Sequence, residues 1–314
     1  MKILVIFVQA LCTRSDLVSG ISLKGIRRQF NTKHETRTYQ GIIISSAQST
    51  SNDVTTDAPL SKKGFDESQK LETFVRDGKA GAIDLSYYKS YEEDTQGLRH
   101  ISEGRDILRG PSEDSAKKTL LMTSNLPSAL GTGIIALASR YRGTQTERET
   151  IYIMSSAQDL SSSQAADRRC LTQDGNTPKL DASFDKYVNH FNYNHDHNSC
   201  DQIEGTSGEK DDARLGRFCR EMASMMKDLK KEMFVLAGHS TWIKAFLHKY
   251  LLNQYNFDEK QLKNNDMKVG NASVISVKLR ITEFTDRKGK SDFECQLMPG
   301  NTRLVYRPLP DKTK

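Results

Sequence analysis

Residues 41–64 read "GIIISSAQSTSNDVTTDAPLSKKG". Ile42, Ile43 and Ile44 form a β-branched run without polar alternation, as expected of a parallel strand buried on both faces. A turn of small neutral residues follows, and Ser61 then precedes "KKGFDESQKLETFVR". A serine hydroxyl in that position accepts an orphan backbone N–H, so the stretch predicts a helix over about 62–76. Strand, turn and helix make the repeating unit of an α/β fold. The odd feature is the turn. Ser45-Ser46-Ala47 stands at the carboxyl end of the strand, where open α/β sheets place their chemistry.

The alternation continues downstream. "TLLMTSN" at 119–125, "TIYIMSSAQ" at 150–158, "MFVLAGHS" at 233–240 and "ASVISVKLRI" at 272–281 read as strands. Helices are expected from Leu126 to Arg142, over about 211–230 and over 241–252. In the second of these, Phe218, Met222 and Met226 share one face at spacings of four. The pattern predicts a three-layer α/β/α sandwich with a mostly parallel central sheet. Residues 40–314 are expected to form one such domain, with polar insertions near 77–117 and 160–210. Residues 1–39 read as an N-terminal extension that is irregular over 13–39.

Composition narrows the function classes. The 314 residues carry 46 Lys plus Arg against 40 Asp plus Glu, a formal net charge of +6. The basic residues are scattered and form no stripe with interleaved aromatics, so a nucleic-acid partner is not expected. No run of 18 apolar residues occurs, so no membrane span is expected. "MKILVIFVQALC" at 1–12 reads either as a short strand or as a signal segment with Ala10-Leu11-Cys12 at its small-residue end. The first reading gives a soluble cytoplasmic protein, the second a secretory route. Cys12, Cys170, Cys200, Cys219 and Cys295 are odd in number and contain no CxxC pair. Reduced thiols are the expectation, with neither a disulfide framework nor a zinc site.

Three candidate sites stand out. "GHSTW" at 238–242 suggests a nucleophile elbow around Ser240, but Trp242 replaces the second glycine. The only later histidine, His248, lies in the helix that the elbow would start, so a triad fails on connectivity. His190, His195 and His197 in "HFNYNHDHNSC" carry metal-ligating chemistry, but their polar, loop-like surroundings favour surface histidines. No metal or cofactor is expected. His239 differs from these, because it follows a hydrophobic strand immediately and opens a helix.

Taken in order, the strand ends resemble the histidine phosphatase superfamily, the phosphoglycerate mutase-like proteins, over about residues 40–280. That family's first strand ends in Arg-His-Gly, followed by a Ser or Thr, an Asn and a "D-x-P-L-T-x-x-G" helix start. Here "ISSAQSTSN" and "DAPLSKKG" occupy those places. The family's "S-x-L-x-R-A-x-x-T" is matched by "SNLPSALGT" at 124–132, its acidic strand end by "SSAQD" at 155–159, and its last histidine by "VLAGHSTW". "KVGNASVISVKL" at 268–279 resembles the closing strand.

The resemblance implies a phosphoglycerate mutase-like fold and a site for phosphoryl transfer. There an imidazole attacks phosphorus, arginines and a second histidine hold the oxygens, and a carboxylic acid protonates the leaving group. Ser46 stands at the place of the nucleophilic histidine, Ser45 and Ser128 at the places of the two arginines, and Ala47 at that of the glycine. Asp159 stands near the acid and His239 at the second histidine, while Asn52 matches a phosphate-contacting position. Asp57, Pro59, Leu60, Gly64, Ser124, Leu126, Ala129 and Thr132 match the scaffold.

A serine hydroxyl is a weak nucleophile without an activating base, and each lost charge-stabilising donor costs about 3–4 kcal/mol in the transition state. The expectation is a catalytically impaired pseudophosphatase with a binding or scaffolding role. Its partner would be a phosphorylated small molecule or phosphoprotein held weakly by His239, hydroxyls and backbone N–H groups, or a protein. The alternative is an active phosphomonoester hydrolase using His239 with Asp159 or Ser46. Arg168 and Arg169 read as surface residues of the insertion, although either would restore a cation by reaching in.

Overall fold

The computed structural model describes residues 33–50, 59–78, 95–110, 118–141, 148–159, 178, 180–195, 211–252, 269–285, 291–298 and 301–308. The described strands are β1 (Lys33–Ser45), β2 (Thr119–Ser124), β3 (Thr150–Met154), β4 (Asn192–His195), β5 (Met233–Gly238), β6 (Val274–Thr285), β7 (Ser291–Leu297) and β8 (Arg303–Tyr306). They lie in the order β4-β3-β2-β5-β1-β6-β7, with β8 paired to β6. The run from β4 to β1 is parallel throughout, and β8 is antiparallel to β6. The described helices are α1 (Lys62–Asp77), α2 (Thr95–Arg109), α3 (Pro127–Ala136), α4 (Asp185–Val188), α5 (Asp211–Asp228) and α6 (Ser240–Leu247).

The hydrophobic pattern explains the layering. Ile42 and Ile44 of β1, Leu121 of β2, Ile151 and Ile153 of β3, and Val235 and Ala237 of β5 share one core cluster. Leu71, Phe74 and Val75 of α1, Ile107 and Leu108 of α2, and Leu130 and Ile134 of α3 complete it. The alternate residues Ile43, Leu120, Met122, Phe234 and Leu236 are buried as well, so the sheet is covered on both faces. Phe218 of α5 packs edge-on against Trp242 of α6 and against Phe246, all three buried. The chain is thus an α/β protein with a mixed, mostly parallel sheet in three layers.

The α1 boundary follows from chemistry foreseen in the sequence. The Ser61 hydroxyl accepts the Gly64 N–H at 3.0 Å, and the helix stops at Gly78, whose φ of 66° is left-handed. A buried ion pair ties α2 to the sheet. The Arg140 side chain, fully buried, donates to both Glu149 oxygens at 2.7 and 2.6 Å and to the carbonyls of Ile107 and Leu108 at 2.5 and 3.3 Å.

Four sequence expectations are corrected. Lys33–Tyr39, within the stretch expected to be irregular, belongs to β1. The 77–117 stretch, expected as a surface excursion, contains α2, with Leu108 buried in the core cluster. The 160–210 insertion holds α4 and β4, and its Phe184, Val188 and Phe191 are buried. The helix expected to run to Arg142 ends at Ala136 and continues as a 3-10 turn, Ala138–Arg140.

By its contacts the chain divides into two units, residues 1–36 with 282–294, and residues 37–281 with 295–314. In the smaller unit His34 and Phe284 meet edge to face at 4.9 Å, and the Ser291 hydroxyl donates to Glu283 at 2.9 Å. The candidate site lies wholly in the larger. No helix among the described residues is long and apolar enough to cross a membrane.

Candidate functional site

β1 and β5 end side by side, with Ser45 in register with Gly238. Ser46 and His239 therefore leave the sheet together. The Ser46 N–H donates to the Gly238 carbonyl at 2.7 Å, and the Ser46 hydroxyl lies 3.5 Å from His239 Nδ1. His239 is the N-cap residue of α6, with extended backbone (φ −90°, ψ 149°), and its carbonyl accepts the Ile243 N–H at 2.9 Å.

The turn after β1 is clamped from two helices. From α3, the Thr132 hydroxyl accepts the Ala47 N–H at 3.0 Å and donates to the Ser128 carbonyl at 2.7 Å. From α1, a Glu67 oxygen accepts the Gln48 N–H at 3.1 Å. The Gln48 carbonyl in turn accepts the Ser61 N–H at 2.9 Å and the Ser61 hydroxyl at 3.1 Å. Gly64 makes this approach possible, since a Cβ there would sit 1.9 Å from the Gln48 oxygen.

The third side comes from the chain after β3. The 3-10 turn Ser155–Ala157 is held by Trp242, whose indole N–H donates to the Ser156 carbonyl at 2.9 Å. The Ser156 hydroxyl donates to Glu221 of α5 at 2.5 Å. Asp159 follows, and its carboxylate accepts the Thr241 hydroxyl from the first turn of α6. Arg214 of α5 donates to the Asp159 carbonyl at 3.3 Å.

His239 is 8% exposed. Burial pushes its imidazole below the ordinary range, and the nearby Asp159 carboxylate partly offsets this by favouring the charged form. The ring is therefore neutral at neutral pH. Its Nε2 has no hydrogen-bond partner among the described residues. A hydroxyl beside an imidazole is the outline of a nucleophile–base pair. At 3.5 Å the contact is long, and no described group on Nε2 orients the ring.

The structure thus brings Ser46, His239 and Asp159 together. Ser45 ends the same strand, but its hydroxyl is buried without a partner among the described residues. Ser128 lies in the first turn of α3, buried, joined to the β1 turn through Thr132. Asn52, Asp57, Arg168 and Arg169 lie outside the described residues. The backbone N–H groups of Ser46, Ala47 and Gln48 at this turn all have acceptors within the protein.

Sequence reasoning gave Thr132 only as a scaffold match and did not single out Glu67, Thr241 or Arg214. Their partners lie 19 to 85 residues away, so no local pattern marks them. The other candidates are structural. Ser240 opens α6 and His248 lies in the turn of π-helix that continues it, His248–Leu252. His190 stacks on Tyr141 at 4.2 Å, His195 ends β4 and His197 lies outside the described residues. Among the described residues no cluster of three or more His, Cys, Asp or Glu is placed to hold a metal. Cys219 and Cys295 are buried.

No family model matches the chain, and no curated protein matches it. Several solved structures are similar. One is a mycobacterial glucosyl-3-phosphoglycerate phosphatase, 11% identical, covering 86% of this chain and 100% of that one at a TM-score of 0.39. Another is a putative α-ribazole-5′-P phosphatase from Escherichia coli, 10% identical, covering 87% and 99% at a TM-score of 0.38. A third is the phosphoglycerate mutase from Bacillus anthracis, 10% identical, covering 82% and 92% at a TM-score of 0.39. The chain is similar, at low identity, to solved phosphatases and a phosphoglycerate mutase.

Proposed function

We propose that the chain is a catalytically impaired histidine phosphatase-like protein whose site binds a ligand and does not hydrolyse phosphomonoesters. The observation that carries this is the environment of His239. The two serines of the β1 end, Ser45 and Ser46, and Ser128 on α3 occupy the places where the resemblance implies cations and a nucleophile. What surrounds His239 among the described residues is a serine hydroxyl, a carboxylate and backbone already committed to the protein. A phosphoryl group in flight needs preorganised positive charge, and neither Ser46 nor Asp159 supplies it. The ligand class is a phosphorylated small molecule or phosphoprotein bound weakly, with a protein partner as the scaffolding form of the same role.

The test is a sensitive phosphatase assay over several phosphomonoesters, with Ser46→Ala and His239→Ala as controls. Turnover at background level in all three proteins is the expected result. Robust turnover that disappears in His239→Ala would overturn the proposal.

A further inference from the structure

Two described residues other than glycine have left-handed backbone, Lys230 at φ 51° and Ala272 at φ 50°. The Cβ of an L residue crowds this region. Lys230 has a local cause. It follows α5, where the Lys231 N–H donates to the Met226 carbonyl at 2.8 Å and the Lys230 N–H to that of Lys227 at 3.2 Å, the pattern in which a left-handed residue ends a helix. Ala272, which is buried, ends no helix. It is the third residue of the turn Gly270–Ser273, closed by the Ser273 N–H on the Gly270 carbonyl at 3.3 Å and braced by the Ser273 hydroxyl, which accepts the Gly270 N–H at 3.2 Å. Where the third residue of a turn has positive φ, glycine or asparagine normally occupies it. Asn271 and Gly270 stand one and two places early, and neither takes the left-handed conformation.

The cause lies at the end of β1. The Ala272 N–H donates to the Ser46 carbonyl at 3.3 Å, and the Ser273 carbonyl accepts the Ser45 N–H at 2.8 Å. The Ser46 carbonyl and the Ala47 N–H belong to one planar peptide group, and the Thr132 hydroxyl holds that N–H at 3.0 Å. The plane is thus gripped at both edges, by this turn and by α3. The preceding peptide is held by the Ser46 N–H on the Gly238 carbonyl at 2.7 Å. With the peptides on both sides of Ser46 fixed, the direction of its Cα–Cβ bond is fixed as well. Its hydroxyl then lies 3.5 Å from His239 Nδ1.

We propose that Ala272 is a positioning residue for this site: its left-handed conformation aims the N–H at the Ser46 carbonyl, and the turn is a sprung clip that keeps the Ser46 hydroxyl beside His239. Backbone in a sparsely populated region persists only where its surroundings over-determine it. Here the β5 end, α3 and the Gly270–Ser273 turn all converge on the two peptides of Ser46. The clip goes beyond the functional reading, since it fixes the same geometry whether or not the site turns a substrate over.

Ala272→Gly in the full chain is the test. Glycine enters the left-handed region freely and leaves it as freely, so the strain goes and the grip goes with it. Relief in the folded chain is offset by the added freedom of the unfolded one, and the urea midpoint is expected to change little. The local effect is expected to be large. The Ser45 amide, held by Ser273, is expected to exchange with solvent about tenfold faster, a local opening against unchanged global stability. The His239 Nδ1 resonance, followed by NMR, is expected to move toward its position in Ser46→Ala. Lys230→Gly makes the same change at the end of α5 and is expected to leave both readouts alone.

An Nδ1 resonance unmoved in Ala272→Gly overturns the proposal, as does Ser45 exchange no faster than in Lys230→Gly. A uniform quickening of all core amides does so too, because it would mark Ala272 as a structural residue without a particular hold on Ser46. Turnover in the phosphatase assay would sink the functional reading and leave this result standing.

Discussion

The Thr241 hydroxyl donates to the Asp159 carboxylate, which ties the second residue after His239 to the chain that leaves β3. Asp159 is thereby fixed beside the imidazole by the same helix that His239 caps. Burial disfavours the imidazolium and Asp159 favours it, with burial the larger. Removing the carboxylate leaves burial unopposed, so Asp159→Asn is expected to lower the His239 midpoint further. An NMR titration of the ring protons reads this directly, and a midpoint that rises or stays put counts against the assigned geometry.

The depressed His239 value has a stability consequence with a definite sign. In the unfolded chain the imidazole has its ordinary pKa, so between that value and the folded one the unfolded state binds more protons. The His239 contribution is complete above the ordinary imidazole pKa and is lost as pH falls through the folded value. Urea midpoints measured from neutral pH downward are expected to fall in that window. His239→Gln is expected to flatten the decline, leaving the part owed to His190, which burial also depresses.

Thr132 joins two segments through one hydroxyl, accepting from Ala47 and donating to Ser128. Thr132→Val keeps the shape but strands a buried N–H, at a cost of about 1–3 kcal/mol. Thr132→Ser retains the hydroxyl and is expected to recover most of the loss. Chemical denaturation of the three proteins separates hydroxyl from methyl, and equal losses in both variants would refute the bridging role.

Ser45 is 1% exposed. An arginine there, the residue that the resemblance implies, therefore places a guanidinium in a closed, uncompensated space. Ser45→Arg is expected to destabilise the fold by about 3 kcal/mol or more and to confer no phosphatase activity. A stable variant with turnover would refute this expectation.

Much of the fold was legible because its strands are apolar without interruption. Ile42–Ile44, Leu120–Met122 and Phe234–Ala237 announce buried parallel strands, and Ser61 announces α1. The missed elements lack that signal. "KHETRTYQ" at the start of β1 is polar and largely exposed, and "NYNH" of β4 lies at one end of the sheet order. α2 draws its core contact from Leu108 and Ile107 near its end, within a charged segment. At the site, the position of His239 after an apolar strand was readable. Thr241, Glu67 and Arg214 were not, because each acquires its role from a chain segment remote in sequence.

β5 lies between β1 and β2, whose last residues are Ser45 and Ser124, yet β5 itself begins at Met233. During synthesis on a ribosome, the two flanking strands emerge long before the one that separates and joins them. Until it arrives, each presents an unpaired apolar edge, a template for pairing with another chain. Such non-local closure slows folding and lengthens exposure to aggregation. Chains that terminate before β5 are expected to be insoluble, and the site itself is completed only after most of the polypeptide has been made.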